Sequence, residues 1–426
     1  MLKNILIFTI LCAFSYLSGY TQQYPAPVNL EKQVDSLYRK KNFNEAAAGY
    51  ISLALHSDFK IKTITSYYQA ACCYSLVHNS DSAFFYLQKA IDAGLTEKRR
   101  ALEDSDFEPI HKDERWSKMI AKIKDSRPKT NADPGKAKII TSDIVNFWTA
   151  YDMALKDTAN FRRILKAGYF DKASEGMNDY MGLKVRSIDV FVHHVRSFPK
   201  FYAGIRTNTY APLRMKSDLM NAFNKMKTLY PEARFPDVYF VIGAYTSAGT
   251  VSNNGLLIGI NQFCDDPTIE KDELDARTKR MLVNKELLPG LVPHELIHFQ
   301  QKEMKNDTTT ISSAIKEGMA DFLGEMISGV NANAKLYTWA RGKEKDIWAR
   351  FIPDMYLNRY SNWMANSQNS SPDNPADQGY WIGYQICKAY YNQSADKKQA
   401  IHDMLSVQDF NKFLKDSGWE QIVAAL

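Results

Sequence analysis

Between residues 24 and about 127, apolar and small residues recur at helical spacing in two successive sets. Tyr67, Ala70, Ala71, Tyr74, Ala83, Leu87 and Ala90 form the clearer set, and its alanines let the two helices of a hairpin approach closely. Val34, Leu37, Ala46, Tyr50 and Leu53 form an earlier copy, offset by 37 residues when Ala46 is matched to Ala83. Residues 126–138 carry two prolines and a glycine with almost no apolar side chains, which predicts a linker. The pattern therefore divides the chain into a helical-repeat region at 24–127, a linker ending at 138 and a second domain at 139–426. That domain opens helically, with Val145, Trp148, Tyr151 and Ala154 in one stripe and a further pattern over 184–196. The period then shortens. Val238 to Gly243 and Gly255 to Phe263 read as paired strands around a Thr/Ser/Gly/Asn loop, and from about 270 helices return. The fold class expected is α+β, predominantly helical, with a small sheet in the second domain.

The repeat region resembles tetratricopeptide repeats, and the run from Asp104-Ser-Asp-Phe107 to Asp113-Glu-Arg-Trp116 looks like the closing segment of such arrays. Two copies are few for a solenoid, so a capping helix near 114–125 or docking on the second domain is needed to complete the buried surface. The resemblance implies a concave face that binds a peptide or a partner protein.

Composition narrows the function classes. Lys and Arg number 54 against 48 Asp and Glu, a formal charge of +6 spread along the whole length without a basic block, which argues against nucleic acid as a partner. One N-terminal apolar stretch, residues 5–17 after Lys3, is too short to span a bilayer and has the parts of a secretory signal, with Ser18 and Gly19 before a cut near Gln22. This predicts a signal peptide at 1–22 and a mature chain exported to the periplasm or the exterior without a transmembrane span. Bulky Leu11 before Cys12 argues against a lipoprotein site. Cys72, Cys73, Cys264 and Cys387 would remain and do not form a disulfide framework by number or spacing.

One motif carries chemistry. In His294-Glu-Leu-Ile-His298 the two imidazoles fall one helical turn apart and can reach one ion, with Glu295 beside them. Val292, Leu296 and Phe299 give that helix a stripe to bury, and Pro293 fits its first turn. Zinc needs a third protein ligand. Eighteen residues separate His298 from Glu317, room for a turn through Asn306 to Thr310 and a second, antiparallel helix on which Asp321 lies one turn beyond Glu317. Tyr380 and Tyr384 share a helical face that could place a phenol over the metal, and His402 is a further option as an oxyanion partner. His193-His194 lies in an apolar pattern where neighbours diverge by about 100 degrees, which favours a packing role.

With these residues the chain resembles the gluzincin metallopeptidases, and in layout the poorly characterised bacterial zinc-dependent peptidases. The resemblance implies zinc on His294, His298 and Glu317, Glu295 as general base and Asp321 supporting a liganding histidine. It also implies a cleft edge on Gly255, Leu256, Leu257 and Ile258 that holds a peptide or protein substrate by added β pairing. A Gly-x-Met-Glu-Asn segment that would capture a free amino terminus is missing, with Ser252 to Gly259 standing in its place, which favours an endopeptidase. The rival expectation is a non-catalytic repeat-containing binding protein of the cell envelope with a structural zinc site.

Overall fold

The computed structural model of the chain describes residues 26–124, 129–367 and 370–426; the signal-type segment read over 1–22 and the head of the linker at 126–128 lie outside the described residues. The first six helices are α1 (Ala26–Arg39), α2 (Phe43–Leu55), α3 (Lys60–Leu76), α4 (Ser80–Asp92), α5 (Lys98–Glu103) and α6 (Glu114–Lys122). Ala46, Ala47, Ala70, Ala71, Ala83 and Ala90 are wholly buried between them, so close approach is built on side chains of minimal volume. The side chains of Asn79 and Asp113 cap α4 and α6 by accepting from the backbone N–H of Ser82 and Arg115. Phe107, on a short 3-10 turn, meets the Trp116 ring of α6 at 5.4 Å and closes the row.

In the second region the principal helices are α7 (Ser142–Lys156), α8 (Ile188–Ser197), α9 (Pro199–Thr209), α10 (Lys216–Leu229), α11 (Leu288–Gln300), α12 (Thr310–Ser328), α13 (Ala334–Ala340) and α14 (Gln378–Gln393). Four strands lie among them: β1 (Ile139–Ile140), β2 (Asp237–Val241), β3 (Gly249–Val251) and β4 (Gly255–Gly259). The sheet order is β1-β2-β4-β3, with β1–β2 and β2–β4 parallel and β3–β4 antiparallel. The fold is thus α+β and predominantly helical, as expected.

Several details differ from the sequence reading. The core face of α7 is Ile144, Phe147, Trp148, Tyr151 and Ala154, whereas Val145 is exposed. The second long strand stops at Gly259 and turns into a 3-10 helix over Ile260–Phe263. More consequentially, Gly255 to Ile258 are hydrogen-bonded to strands on both sides, so they offer no edge for an added strand; the edge beside them is β3. Pro293 lies inside α11 rather than in its first turn, because Pro289 already occupies the opening of that helix.

The linker reading also changes from residue 129 onward. The Lys129 N–H donates to the Asn253 carbonyl at 3.0 Å, and Asn131 exchanges backbone hydrogen bonds with Phe235 before β1 joins the sheet. The repeats dock on the second region as well. Phe59, at the head of α3, is buried in the second region's core with its ring 6.0 Å from that of Phe170. Asp58 accepts the Ile188 N–H at the start of α8 at 3.0 Å, and Glu31 pairs with both Lys62 and Arg186.

The four cysteines Cys72, Cys73, Cys264 and Cys387 are buried and free. His194 stacks on Tyr245 at 5.3 Å and bonds to the Tyr202 hydroxyl, a packing role. Among the described residues no helix is long and apolar enough to cross a membrane.

Candidate metal centre

α11 and α12 bring four of the sequence-derived residues together. His294 and His298 project from one face of α11, and Glu317 and Asp321, one turn apart on α12, face them. The Nε2 atoms of the two histidines are 3.0 Å apart, and Glu317 Oε2 lies 3.1 Å from His298 Nε2 and 3.6 Å from His294 Nε2. Ligands about 2.0–2.1 Å from a tetrahedral ion stand roughly 3.3 Å from one another, so these separations bracket what a single zinc requires.

The outer nitrogens explain why the inner ones converge. His294 Nδ1 is 2.8 Å from Asp321 Oδ1, and His298 Nδ1 is 2.8 Å from Gln301 Oε1. Gln301 donates through its own amide to the Lys316 carbonyl at 2.8 Å, which fixes its oxygen toward the histidine. Each Nδ1 meets an acceptor, so in the neutral imidazole it is the nitrogen that takes the proton, and the two Nε2 atoms point at one place beside a carboxylate oxygen. Two acceptors 3.0 Å apart repel unless a proton or a cation lies between them.

Asp321 is held in turn. Asn333 donates to both of its oxygens, at 3.2 and 2.9 Å, and the Tyr337 hydroxyl donates to Oδ2 at 2.8 Å. Charge follows the geometry. Burial alone would lower both histidine pKa values, but Asp321 and Glu317 outweigh it at His294, and Glu317 outweighs it at His298, so both are raised. Burial would raise Glu317, yet the two imidazoles hold it well below the usual carboxylate range. Glu295 is raised by burial; it packs against the Gly249 backbone of β3, in space that a side chain there would fill.

Of the other sequence-derived residues, Tyr380 does reach the centre, its ring stacked on that of His294 at 6.0 Å and 14°. Tyr384 does not: its hydroxyl donates to Glu325 at 3.0 Å and its ring packs against Tyr337. His402 is half-exposed on the surface, beside Tyr230 and Asp403. Gln301, Asn333 and Tyr337 were missed, as was Lys184, whose charge acts on Glu295 and Glu317. Only Gln301, three residues past His298 at the end of the helix, could have been found from spacing.

The fold and centre define a helix-rich protein with a His-His-Glu donor set and a helical-repeat region docked beside it. A family model described as Gliding motility protein GldB matches residues 142–421, which is about two thirds of the chain, and the chain belongs to that family. No curated protein and no solved structure was found to match. Membership overturns the expectation of a gluzincin peptidase: the family is one of gliding motility proteins of the cell envelope, not of hydrolases. The reading of Glu295 as general base and of Gly255 to Ile258 as a substrate edge falls with it, and the paired register of β4 is an independent reason against that edge.

Proposed function

We propose that this chain is a non-catalytic envelope component of the gliding machinery in which one zinc ion, held by His294, His298 and Glu317, fastens α11 to α12, while the docked repeats present a surface to a partner protein. The observation that carries the reading is the pair of Nε2 atoms converging beside Glu317, with Asp321 and Gln301 engaging both outer nitrogens. An ion bound only by the folded chain contributes its binding free energy to stability. The cationic, apolar N-terminal pattern supports placement on the exported side of the inner membrane, in the periplasm or on the cell surface.

The test uses the full chain. Metal analysis should find about one zinc per molecule, and a chelator should lower the melting temperature. His294→Ala should carry substoichiometric metal. Parent protein without metal, or a melting temperature indifferent to chelation, would refute the zinc clamp. Glu295→Gln separates the non-catalytic reading from any other, because Glu295 is not a ligand. Gliding cells whose own copy carries this change should move normally, and loss of gliding with zinc and stability intact would overturn the reading.

A further inference from the structure

Two hollows of about 430 and 210 Å³ share Asp35, Tyr50 and Gln69, and so form one groove along α1 and α3. Asp104 and Asp106, on the turn after α5, stand at its outer end, and Gly182, Leu183 and Arg186 of the second region close its inner end. The two ends differ in charge. At the outer end Asp35, Asp104 and Asp106 face one lining cation, Arg39. The hydrogen bonds to these acids come from tyrosines: Tyr50 donates to Asp35 at 3.0 Å, Tyr68 to Asp104 at 2.7 Å and Tyr38 to Asp106 at 2.5 Å. A hydroxyl orients a carboxylate without cancelling its charge. Arg100 lies over the Tyr68 ring at 4.7 Å, but Glu97 pairs with it at 2.9 Å, so that pair adds no net charge. The outer end therefore carries two negative charges in excess. At the inner end Lys62 and Arg186 share Glu31, which leaves one positive charge there. Burial raises the Asp106 carboxyl above its usual range, and the charge of Asp104 adds to this against the Tyr38 hydrogen bond. Such a carboxylate is short of a cation.

A second observation on the groove floor points to a ligand. Ser66 lines the inner hollow, is only 2% exposed, and its hydroxyl has no hydrogen-bond partner among the described residues. Buried polar groups are normally paired, so this hydroxyl fits a polar group that arrives with an occupant. Gln69 adds an amide where the two hollows meet. Length argues for a piece of chain. Glu31 and Arg39, at opposite ends, are eight residues apart on α1, about 12 Å, which about four extended residues would fill. Anionic partners are repelled from the outer end, whereas a Lys or Arg side chain there meets both carboxylates and the rings of Tyr38 and Tyr50.

We propose that this groove receives a short basic segment of a partner protein, with a Lys or Arg side chain held between Asp35 and Asp106 and its backbone lying along Gln69 toward Ser66. The proposal rests on the reading of the docked repeats as a partner surface, and not on the zinc.

A fluorescent eight-residue peptide with Lys and Arg at its centre, and a control with Glu at those positions, are titrated against the full-length protein by anisotropy. The whole chain is cationic, at +6, so a basic peptide has no general attraction to it. The basic peptide should bind, more weakly as salt rises, and the Glu peptide should not. In the double variant Asp35→Asn, Asp106→Asn each amide keeps an oxygen for its tyrosine, and affinity should fall at least tenfold at an unchanged melting temperature. Glu45→Gln, Asp92→Asn makes the same charge change at two exposed positions away from the groove and should leave affinity within twofold. Binding of neither peptide, equal binding of both, or equal losses in the two double variants would overturn the proposal. Competition by free arginine as strong as by the peptide would overturn it in favour of a small-cation site. A second zinc per chain that displaces the peptide and is lost in Asp106→Asn would assign Cys72, Asp104 and Asp106 to a metal instead. Peptide discrimination with normal gliding of cells whose own copy carries Asp35→Asn, Asp106→Asn would refute the repeats as the partner surface and keep the groove's chemistry; lost gliding without discrimination would do the reverse.

Discussion

Gly383→Ala is the sharpest probe of how the centre is held. α12 and α14 cross so closely that a methyl built on Gly383 would overlap the Ala314 carbonyl oxygen and come within 3.0 Å of the Ile315 Cα, both backbone atoms that cannot swing aside. The same crossing brings Gly318, next to Glu317, against the backbone of Tyr384. A carbon and a carbonyl oxygen need about 3.3 Å, so the helices must part by roughly 1–2 Å. Overpacking a buried contact costs about 1–3 kcal/mol, and a clash with backbone belongs at the upper end. With a urea slope of about 3 kcal/mol/M, a cost of about 3 kcal/mol moves the midpoint down by about 1 M. The displacement also carries Glu317 away from His298, and donor distances tolerate only about 0.2 Å, so zinc affinity measured against a competing chelator should fall by about tenfold or more. Gly204→Ala is the control: at this exposed position of α9 its methyl would meet only Ile269 at 3.7 Å, and the change should be neutral or stabilise by up to about 1 kcal/mol. A Gly383→Ala protein with the parent's midpoint and zinc affinity would refute the claim that this crossing sets the position of Glu317.

Two further outcomes follow from the same geometry. Asp321→Asn keeps an oxygen near His294 but removes the charge that orients it, so zinc affinity should drop by about 10- to 100-fold; unchanged affinity in a competition titration would count against the supporting role. Phe59→Ala should lower the stability of the second region by about 3–5 kcal/mol in urea, although residue 59 belongs to the repeats, and an unaltered transition of that region would mean that the two cores are separate.

The sequence made the donor set legible because chelation demands regular spacing: His294 and His298 are one turn apart, as are Glu317 and Asp321. What holds those residues in place was not legible. Asn333 and Tyr337 reach Asp321 from another helix, and an amide or a phenol has no spacing that marks it as a partner. The strand Val238 to Val241 shows in its apolar run, but β1 has two residues and β3 three, too short for any alternation. The presence of β3 decides that β4 is interior, so the edge was assigned wrongly for want of a neighbour that only tertiary structure supplies. Val145 was placed in the core by carrying the three-residue step of Trp148, Tyr151 and Ala154 one position too far back, where the helical face has already drifted to Ile144 and Phe147. The reaction was over-read for a different reason: spacing specifies which atoms can meet an ion, and the same atoms serve a fastener as well as a hydrolase.

The junction at Phe59 has a mechanical consequence. Tension applied to the repeats passes to the second region along parallel routes that include the chain after α6, the Phe59 ring, the Asp58 bond to the Ile188 N–H, and the Glu31–Arg186 ion pair. Salt weakens the ion pair, since Arg186 is half-exposed, and that route softens gradually. Withdrawal of the ring is abrupt by contrast, because it uncovers apolar surface all at once. The repeats should therefore act as a stiff lever at low load and release in a single step above a threshold, and that release would move α5 away from the His298 and Gln301 side chains it now faces.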